Sequence, residues 1–581
     1  MEIRMEKEWE NARVTLREEQ KAEGVTYLHV DVCCPEAETP RPVTLHFSVP
    51  CVDMVSQFFS QRWNIRSLRP HWDWSRAGAR GRLASEMPLL SLISAEDRNR
   101  LTVSLSDADN DACITCGVRE ETAEVDFVVK FFLSPMPKTA RYHAILRMDS
   151  RSMRYEDAIR EAVRFWEEEC GYTPAPVPEA ARLPMYSTWY SYHQKMDTET
   201  LVAQCALAKP LGMDTVIIDD GWQTDDNNRG YAYCGDWEVT PGKIPSMREL
   251  VDRIHALGMK VMLWYSVPYV GIHSKSFERF RGMYLEDDRE EGRDTFRLDP
   301  RYRETREYLV DTYRRALLAY GHDGFKLDFI DSFTLNTPYS LREDPGRDIP
   351  SLEDAVNRLL TDVMTALREI NPDILIEFRQ SYVGPAIRKY GNMLRAADCP
   401  NDPYHNRLSC TDLRLTSGKT AVHSDMIMWH KDEPVERAAF QVLATLFAVN
   451  QISVKLEEQS PEHLLMLRHL LTFMREHQGT LLDAPFYANS PANNYTVSYA
   501  QGEGEFIAVD YAGVPVSVGE GRAYVFSASG RGETVLRLPE NAEGRAYRVL
   551  DCMGKTLEEG ILDGAAFRAF SVPMGGMIEI L

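Results

Sequence analysis

The sequence has no recognisable disulfide framework and no complete metal-binding motif. Its eleven cysteines are odd in number and irregularly spaced, which is typical of reduced thiols. Cys113 and Cys116 have the spacing of zinc ligands, but no second such pair or His-x-x-x-His motif completes a site. We therefore expect free thiols and no metal, and we interpret this pair as small buried residues of a strand.

The sequence also has no excess of positive charge and no long apolar run. Its 66 Lys and Arg residues face 88 Asp and Glu residues, which gives a net charge of -22 and repels nucleic acid and anionic membranes. No stretch approaches the roughly 18 apolar residues of a membrane span, and the first residues contain no apolar core of a signal peptide. We expect a cytoplasmic protein with neither nucleic acid nor membrane as a partner.

The pattern of apolar and polar residues changes twice along the 581-residue chain, which indicates three domains. Short alternating strand patterns come first and end in an amphipathic helix and a Pro-rich linker. Eight apolar runs then alternate with helical patterns, as in a (β/α)8 barrel. A second series of short strands follows. We predict an α/β protein with an N-terminal antiparallel β-sandwich and linking helix (1–175), a (β/α)8 TIM barrel (176–482) and a small C-terminal antiparallel β-domain (483–581).

Functional side chains of such a barrel lie where its strands end, because the C-terminal ends of parallel strands meet at one rim. The candidate strands are 185–190, 215–219, 260–265, 324–329, 373–378, 392–397, 422–427 and 451–456.

The fourth candidate strand, GFKLDF, has two charges in an otherwise apolar run. Side chains alternate along a strand, so Lys326 and Asp328 share the face that points into the barrel. Charges there cost free energy unless they are paired or close to the open rim. Two interpretations follow: an ion pair that fills the interior, or a functional pair in which Lys326 keeps Asp328 ionised for nucleophilic attack.

The second and third strands end in acidic and aromatic residues. Asp219, Asp220 and Trp222 follow the second strand, and two carboxylates beside an aromatic ring suit a sugar. Helix capping is the structural alternative for the two acids, although a cap needs only one carboxylate. The third strand ends in Trp264 and Tyr265.

The fifth and sixth strands add a mixed set of charges at the same rim. Glu377 and Arg379 end the fifth strand, where a charge cluster that joins loops is the alternative. Arg395 and Asp398 follow on the sixth strand, where Asp398 can also serve as a turn residue before Pro400. Four of eight strands thus end in acids, which favours a site over a purely structural barrel.

Two carboxylates that face each other across a pocket are what cleavage of a glycosidic bond requires. One attacks the anomeric carbon or activates water, and the other protonates the leaving oxygen. Asp328 and Asp398 are the candidates. Arg395 works against the raised pKa that an acid needs, unless it chiefly binds substrate.

At these residues the chain resembles the α-galactosidase clan, glycoside hydrolase families 36 and 27, with greater similarity to family 36. IIDDGWQ (217–223) is similar to the second-strand motif whose carboxylates bind the outer hydroxyls of the sugar. DGFKLDFID (323–331) looks like the fourth-strand Lys-x-Asp motif. The resemblance implies that Asp328 is the nucleophile and, by position on the sixth strand, that Asp398 is the acid/base of a retaining mechanism. It implies no cofactor and makes a homo-oligomer plausible.

Departures from the family pattern concern the substrate. EFRQSYVGP (377–385) has bulk and charge where family 36 usually has a Gly-rich stretch, and Leu327 replaces the more usual Trp. We expect a retaining exo-α-glycosidase acting on terminal α-galactosides. The alternatives are an α-glucosidase, an α-N-acetylgalactosaminidase or a transglycosidase on the same site, or a sugar-binding protein without turnover. The expected sugar-binding residues are Asp219, Asp220, Trp222, Trp264, Lys326, Glu377, Arg379 and Arg395.

Two further groups have open interpretations. Trp63, Trp72 and Trp74, within residues 62–76, are either sandwich-core aromatics with an interdomain plug or a lid over the barrel. His423, Trp429 and His430 lie at or beyond the seventh strand and are weak candidates for lining the pocket.

Overall fold

The computed structural model describes residues 2–59, 66–73 and 78–581. In this part of the chain the N-terminal strands form two six-stranded antiparallel sheets. The first contains Ile3–Lys7, Val43–Pro50, Glu124–Phe131, Ala112–Arg119, Ala79–Arg82 and Ser85–Glu86. The second contains Arg13–Ala22, Val25–Glu38, Thr139–Asp149, Asn99–Leu105, Leu89–Ile93 and Ser56–Phe58. Apolar residues of both sheets form one core, so the predicted sandwich is confirmed.

The cysteines of this sandwich and of the rest of the chain are free thiols. Cys113 and Cys116 lie in the strand Ala112–Arg119, in agreement with their interpretation as residues of a strand. Groups of His, Cys, Asp and Glu that could hold a metal ion do not occur among the described residues.

A helix at Tyr155–Arg164 leads from the sandwich to the barrel and continues as a π-helix at Phe165–Glu169. Trp166 is fully buried, and its Nε1–H donates to the carbonyl of Leu105 at 2.8 Å. Residues 171–178 have no regular secondary structure, as the prolines of the linker predicted. The domain limits stated above stay predictions.

The middle of the chain forms the predicted barrel of eight parallel strands in sequential order. The first strand pairs with the eighth, and isolated bridges from His423 to Val449 and from Ile427 to Ile452 join the seventh and eighth. The strands are Met185–Ser187, Thr215–Ile218, Lys260–Ser266, Gly324–Asp328, Leu375–Arg379, Met393–Arg395, Ala421–His423 and Gln451–Ile452. Each strand overlaps its candidate run. The runs could be recognised because strands of a parallel sheet are buried on both faces and are therefore continuously apolar.

Helices surround the barrel, and side chains cap several of them. The main helices are Thr198–Ala208, Met247–Ala256, Arg303–Tyr320, Leu352–Ile370, Pro403–Thr416, Val435–Leu443 and Pro461–Glu476, with short ones at Trp189–Tyr192 and Lys275–Arg279. Ser460 caps the last helix by accepting from the His463 N–H at 3.2 Å. The helix ends at Glu476, and a π-helix follows at Gly479–Asp483.

The C-terminal strands form a seven-stranded sheet and a three-stranded sheet. The larger contains Phe486–Asn489, Val497–Gly502, Glu505–Asp510, Arg522–Ser527, Met577–Ile580, Ala546–Leu550 and Thr556–Ile561. The smaller contains Val516–Ser517, Glu533–Arg537 and Phe567–Ser571. Most pairs are antiparallel, but one pair in each sheet is parallel.

Contacts from the N-terminal sandwich reach the rim of the barrel. Arg82 donates to the carbonyls of Phe333 at 2.8 Å and of Asp331 at 3.1 Å, in the loop after the fourth strand. The Glu86 N–H donates to the Ser381 carbonyl at 2.6 Å, in the loop after the fifth. The sandwich therefore holds the two loops that follow Asp328 and Arg379.

Candidate active site

Lys326 pairs with an acid of another strand rather than with its neighbour on its own strand. Its Nζ lies 2.7 Å from Asp219 Oδ2, and both side chains are buried. Burial lowers the pKa of Lys326, but Asp219 outweighs it and raises that pKa overall. The interior ion pair foreseen between Lys326 and Asp328 is therefore wrong in its partner: Lys326 pairs with Asp219, at the end of the second strand.

Asp328 is held by three donors at the C-terminal end of the fourth strand. Trp264 Nε1 donates to Oδ2 at 3.0 Å, and the Phe329 N–H donates to Oδ1 at 2.8 Å. The Arg379 Nε–H also donates to Oδ1. Burial raises the pKa of Asp328, but the charges of Arg379 and Lys326 and the hydrogen bonds lower it below its ordinary value. Asp328 is therefore a carboxylate at neutral pH, with Arg379 as its direct cationic partner.

Asp219 and Asp220 follow the second strand and are fixed by local hydrogen bonds. Asp220 accepts from Gln223 Nε2 at 2.6 Å and from Gln194 Nε2 at 2.7 Å. Burial raises the pKa of Asp220 to about 6, and the two amides and the cation Lys243 moderate that rise. The capping alternative does not hold, because Ser246 caps the helix that follows this strand.

The aromatic residues at the rim are arranged differently from the sequence-based prediction. Trp222 is fully buried, donates its Nε1–H to the Trp264 carbonyl at 3.0 Å and packs edge-on against Tyr265. It therefore supports Trp264 from inside and has no ring face open to a sugar. The ring that lies over Trp264 belongs to Tyr231, with centroids 6.2 Å apart and planes 22° apart. Sequence reasoning missed Tyr231 because it lies in an irregular loop without periodicity.

Asp398 is the most exposed acid of the site. Its side chain is 48% exposed, and Oδ1 accepts from Arg395 Nη2 at 2.8 Å. Burial raises its pKa, but Arg395, Arg379 and Lys326 together lower that pKa well below the ordinary range. In the unliganded site Asp398 is therefore ionised, as the neighbouring Arg395 led us to expect.

Arg395 has a second acidic partner that sequence reasoning missed. Asp425, fully buried beyond the seventh strand, accepts from Arg395 Nη1 and also from the Tyr190 hydroxyl at 2.9 Å and the Cys399 N–H at 2.7 Å. Burial raises the pKa of Asp425. Asp398 and Asp425 thus share one cation.

Glu377 lies below this cluster in the barrel interior. It is fully buried, accepts from Gln451 Nε2 and has Oε1 3.7 Å from Arg395 Nε. Its burial raises its pKa. Glu377 supports Arg395 from below and does not open to the rim.

Arg379 ends the fifth strand, and its charge acts on both candidate catalytic acids. It ion-pairs with Asp328, and its charge also lowers the pKa of Asp398. Its guanidinium lies 5.0 Å from the centroid of the Phe329 ring, and Nη1 donates to the Gln380 carbonyl at 3.1 Å. The bulky stretch after the fifth strand therefore brings a cation to the candidate nucleophile.

The weaker candidates make structural contacts, and His423 lies beside Glu377, with Nδ1 4.0 Å from Glu377 Oε2. His423 is fully buried, with Nε2 2.7 Å from the Ala181 carbonyl, and burial lowers its pKa to about 4, so it is neutral. Trp429 donates to Gln459 Oε1 at 2.9 Å. Trp72 is exposed and donates to Glu120 Oε1 at 3.0 Å. Trp63 and Trp74 lie outside the described residues.

The helices of the described chain are each too short or too polar to cross a membrane.

Comparisons with known proteins agree with the barrel and its motifs. Residues 179–387 match the Melibiase family model. α-Galactosidase AgaA of Geobacillus stearothermophilus is 27% identical over 141 residues, which cover 23% of this chain and 19% of AgaA. The A type blood α-D-galactosamine galactosaminidase of Flavonifractor plautii is 24% identical over 176 residues, 27% of this chain and 15% of that protein. These aligned stretches span only a small part of each relative's length.

Solved structures extend the likeness of fold to nearly the whole chain. Crystal structures of family 36 α-galactosidase AgaA variants from Geobacillus stearothermophilus were obtained with raffinose and with stachyose. Their TM-scores are 0.67 and 0.63, each at 14% identity, and each alignment covers 98% of this chain and 81% of AgaA. The barrel region of the chain therefore resembles the Melibiase family, and the whole chain shares the fold of these family 36 α-galactosidase structures.

Proposed function

We propose that the protein is a retaining exo-α-glycosidase that hydrolyses terminal α-linked galactosides, with Asp328 as the nucleophile. The observation that carries this proposal is the environment of Asp328. It is a carboxylate at the mouth end of a barrel strand, fixed by Trp264 and Arg379. Its neighbours Asp219 and Lys326 form a rigid polar pair suited to sugar hydroxyls. An ionised, oriented carboxylate is what attack on an anomeric carbon needs.

Asp398 is the acid/base of this proposal because it is the acid at the rim that remains accessible. Its low pKa opposes proton donation in the free site. Asp398 can nevertheless take up a proton when substrate binds, because Arg395 has a second acidic partner, Asp425. A substrate that covers Asp398 removes its water and so raises its pKa. Arg395 then remains neutralised by Asp425, so protonation of Asp398 leaves no unpaired buried cation.

The named relatives support the substrate class. AgaA was crystallised with raffinose and stachyose in variants that each replace an aspartate. Those two aspartates are as far apart along AgaA as Asp328 and Asp398 are along this chain. An α-N-acetylgalactosaminide is the second candidate, because one relative is named as a galactosamine galactosaminidase.

Hydrolysis of a panel of nitrophenyl α-glycosides tests the activity and the sugar together. We expect the α-galactoside to be the best substrate and the first-released sugar to be the α-anomer by proton NMR. Asp328→Ala should lose at least about 1,000-fold in kcat, as is typical when a nucleophile is removed. A β-anomer as the first product, or equal rates for Asp328→Ala and the wild type, contradicts the proposal.

Leaving-group dependence tests Asp398 separately. A fluoride leaving group needs little protonation, so Asp398→Ala should keep activity on α-galactosyl fluoride. It should lose about 100-fold or more on an alkyl α-galactoside, the range that general acid catalysis contributes. Azide should restore part of the lost rate by replacing the missing base. If Asp425→Asn shows this pattern and Asp398→Ala does not, Asp398 is not the acid.

We also propose that the protein works in the cytoplasm. The eleven free thiols support a reducing compartment. Activity in the lysate of the producing cells, with none in the medium, is the expected result. Activity recovered mainly from the medium contradicts it.

A further inference from the structure

A hairpin of the N-terminal sandwich, residues 79–86, packs on the barrel. It consists of the strands Ala79–Arg82 and Ser85–Glu86. Leu83 and Ala84 at its turn are buried in the hydrophobic core that also contains residues of the barrel strands. The turn of the hairpin is therefore packed into the barrel domain and is not a free loop of the sandwich.

The hairpin holds the backbone of the loops that follow the fourth and fifth barrel strands. Arg82 donates to two carbonyls of the first loop, at 2.8 and 3.1 Å. The Glu86 N–H donates to the Ser381 carbonyl of the second loop at 2.6 Å. A Cβ atom on Gly384 of this loop would lie only 2.1 Å from the Glu86 carbonyl oxygen. The two backbones therefore meet so closely that this position needs a glycine.

A hydrogen bond also links the two loops to each other. The Ser381 hydroxyl donates to Asp331 Oδ2 at 3.0 Å. Asp331 is three residues after Asp328, and Ser381 is two residues after Arg379. This bridge therefore joins the same two strand ends as the ion pair of Asp328 with Arg379. The hairpin binds the carbonyls of both bridging residues, Asp331 and Ser381.

Arg379 is the cation whose position decides the charge state of Asp328. The other nearby cation, Lys326, is held by Asp219. Burial raises the pKa values of three tyrosines that interact with Asp328, so their phenols stay neutral. They are Tyr231, Tyr269 and Tyr382. A displacement of Arg379 would therefore leave a buried carboxylate with a weaker counter-charge.

We propose that the hairpin 79–86 positions Arg379 against Asp328, which makes Arg82 and Ser381 positioning residues of the glycosidase reaction. This inference rests on the proposed function. The mechanism above uses barrel residues alone, and the inference adds a contribution from the N-terminal sandwich.

Two variants weaken these contacts without changing any charge. Ser381→Ala removes the hydroxyl that bridges the two loops. Arg82→Lys keeps the cation but loses the planar fork that reaches two carbonyls at once. A change in the protonation of Asp328 in either variant therefore reports a change in position and not a lost charge.

The measurement is kcat/KM for α-galactosyl fluoride at pH 5 divided by the value at pH 7. Fluoride needs little protonation, so the ratio depends little on Asp398. Burial raises the pKa of Glu86 to about 8, so the carboxyl of the hairpin stays largely protonated at both pH values. For each variant we expect the ratio to fall about threefold below that of the wild type, because Asp328 is protonated more easily when Arg379 moves away.

A matched control and a double variant separate positioning from a general structural effect. Arg98→Lys is the control, because Arg98 is an exposed arginine that donates to the Ser152 carbonyl within the N-terminal part of the chain. Its ratio should equal that of the wild type. Ser381→Ala combined with Arg379→Gln should give the same ratio as Arg379→Gln alone, because the bridge then has no cation left to position.

The outcomes separate this inference from the proposed function. If Arg379→Gln lowers the ratio while Ser381→Ala and Arg82→Lys leave it at the wild-type value, the inference is overturned and the proposed function stands. If Ser381→Ala lowers the ratio by the same factor with and without Arg379, the inference is also overturned. Thermal unfolding shows whether each variant folds, and if Arg82→Lys does not, the Ser381→Ala comparisons decide alone. If the wild type cleaves no α-galactoside, the proposed function fails and the inference fails with it.

Discussion

Arg379 donates to Asp328 from the end of the neighbouring strand, so that a cation from the fifth strand holds the candidate nucleophile on the fourth. The pair has two consequences. It keeps the pKa of Asp328 below its ordinary value, and it leaves Lys326 free to bind Asp219. The candidate nucleophile Asp328 and the candidate sugar-binding acid Asp219 therefore each have a cation of their own.

Removing the charge of Arg379 should shift the acid limb of activity. In Arg379→Gln the pKa of Asp328 rises, because burial is no longer offset by this cation. Asp328 then becomes protonated at a higher pH, and kcat/KM at pH 5 should fall about tenfold more than at pH 8. Arg379→Lys keeps the charge and should therefore keep most of the wild-type kcat/KM at acid pH. A parallel loss at every pH, the same for both variants, contradicts this role. The pH profile of kcat/KM is the measurement.

Asp220 should give binding its own pH dependence. Its pKa is about 6, so its carboxylate is present above that pH and is lost below it. We expect KM of the wild type to rise several-fold from pH 7 to pH 5, and KM of Asp220→Asn to be high and flat over that range. Gln223→Leu removes a donor to Asp220 and should move the transition to higher pH. A wild-type profile that survives unchanged in Asp220→Asn contradicts this assignment.

A buried triad of Arg66, Asp412 and Tyr495 joins the N-terminal sandwich, the barrel and the C-terminal β-domain. Arg66 of the N-terminal part donates to Asp412 in a barrel helix, and the Tyr495 hydroxyl near the C-terminal strands donates to Asp412 Oδ1 at 2.6 Å. Arg66→Met leaves a buried carboxylate unpaired and should cost about 3–5 kcal/mol. Tyr495→Phe removes two hydrogen bonds, the one to Asp412 and the one that the hydroxyl accepts from Arg66 Nη2 at 3.1 Å, and should cost about 2 kcal/mol or more.

Thermal unfolding measures both effects, with Arg303→Met as the control because its ion pair with Glu307 is solvent-exposed. The control should leave Tm unchanged. Equal Tm values for Arg66→Met and the control contradict a stabilising role for the triad.

The barrel could be predicted from the sequence because its strands are short apolar runs between helical patterns, and acids at strand ends stand out against that background. Which of the charged side chains pair with each other could not be predicted from the sequence. Lys326 is two positions from Asp328, yet it binds Asp219, which is more than one hundred positions away. Register within a strand fixes which side chains share a face, but the curvature of the barrel decides which ends meet.

Trp222 and Tyr231 show the same limit for aromatic residues. Trp222 lies in a family-like motif, but its indole N–H donates to the Trp264 carbonyl, which keeps the ring buried. Tyr231 reaches Trp264 from a loop whose path depends on packing against Tyr269 and Phe329. Asp425 was missed because its partner, Arg395, is on another strand.

Covalent trapping tests the central claim, that Asp328 is the nucleophile, most directly. The protein would be incubated with 5-fluoro-α-galactosyl fluoride, which forms the glycosyl-enzyme faster than it is hydrolysed, and then digested for peptide mass spectrometry. We predict one added fluorogalactosyl group, on the peptide that contains Asp328, and none in Asp328→Ala. A label on another residue, or steady turnover of α-galactosides with no trapped intermediate, would contradict the account.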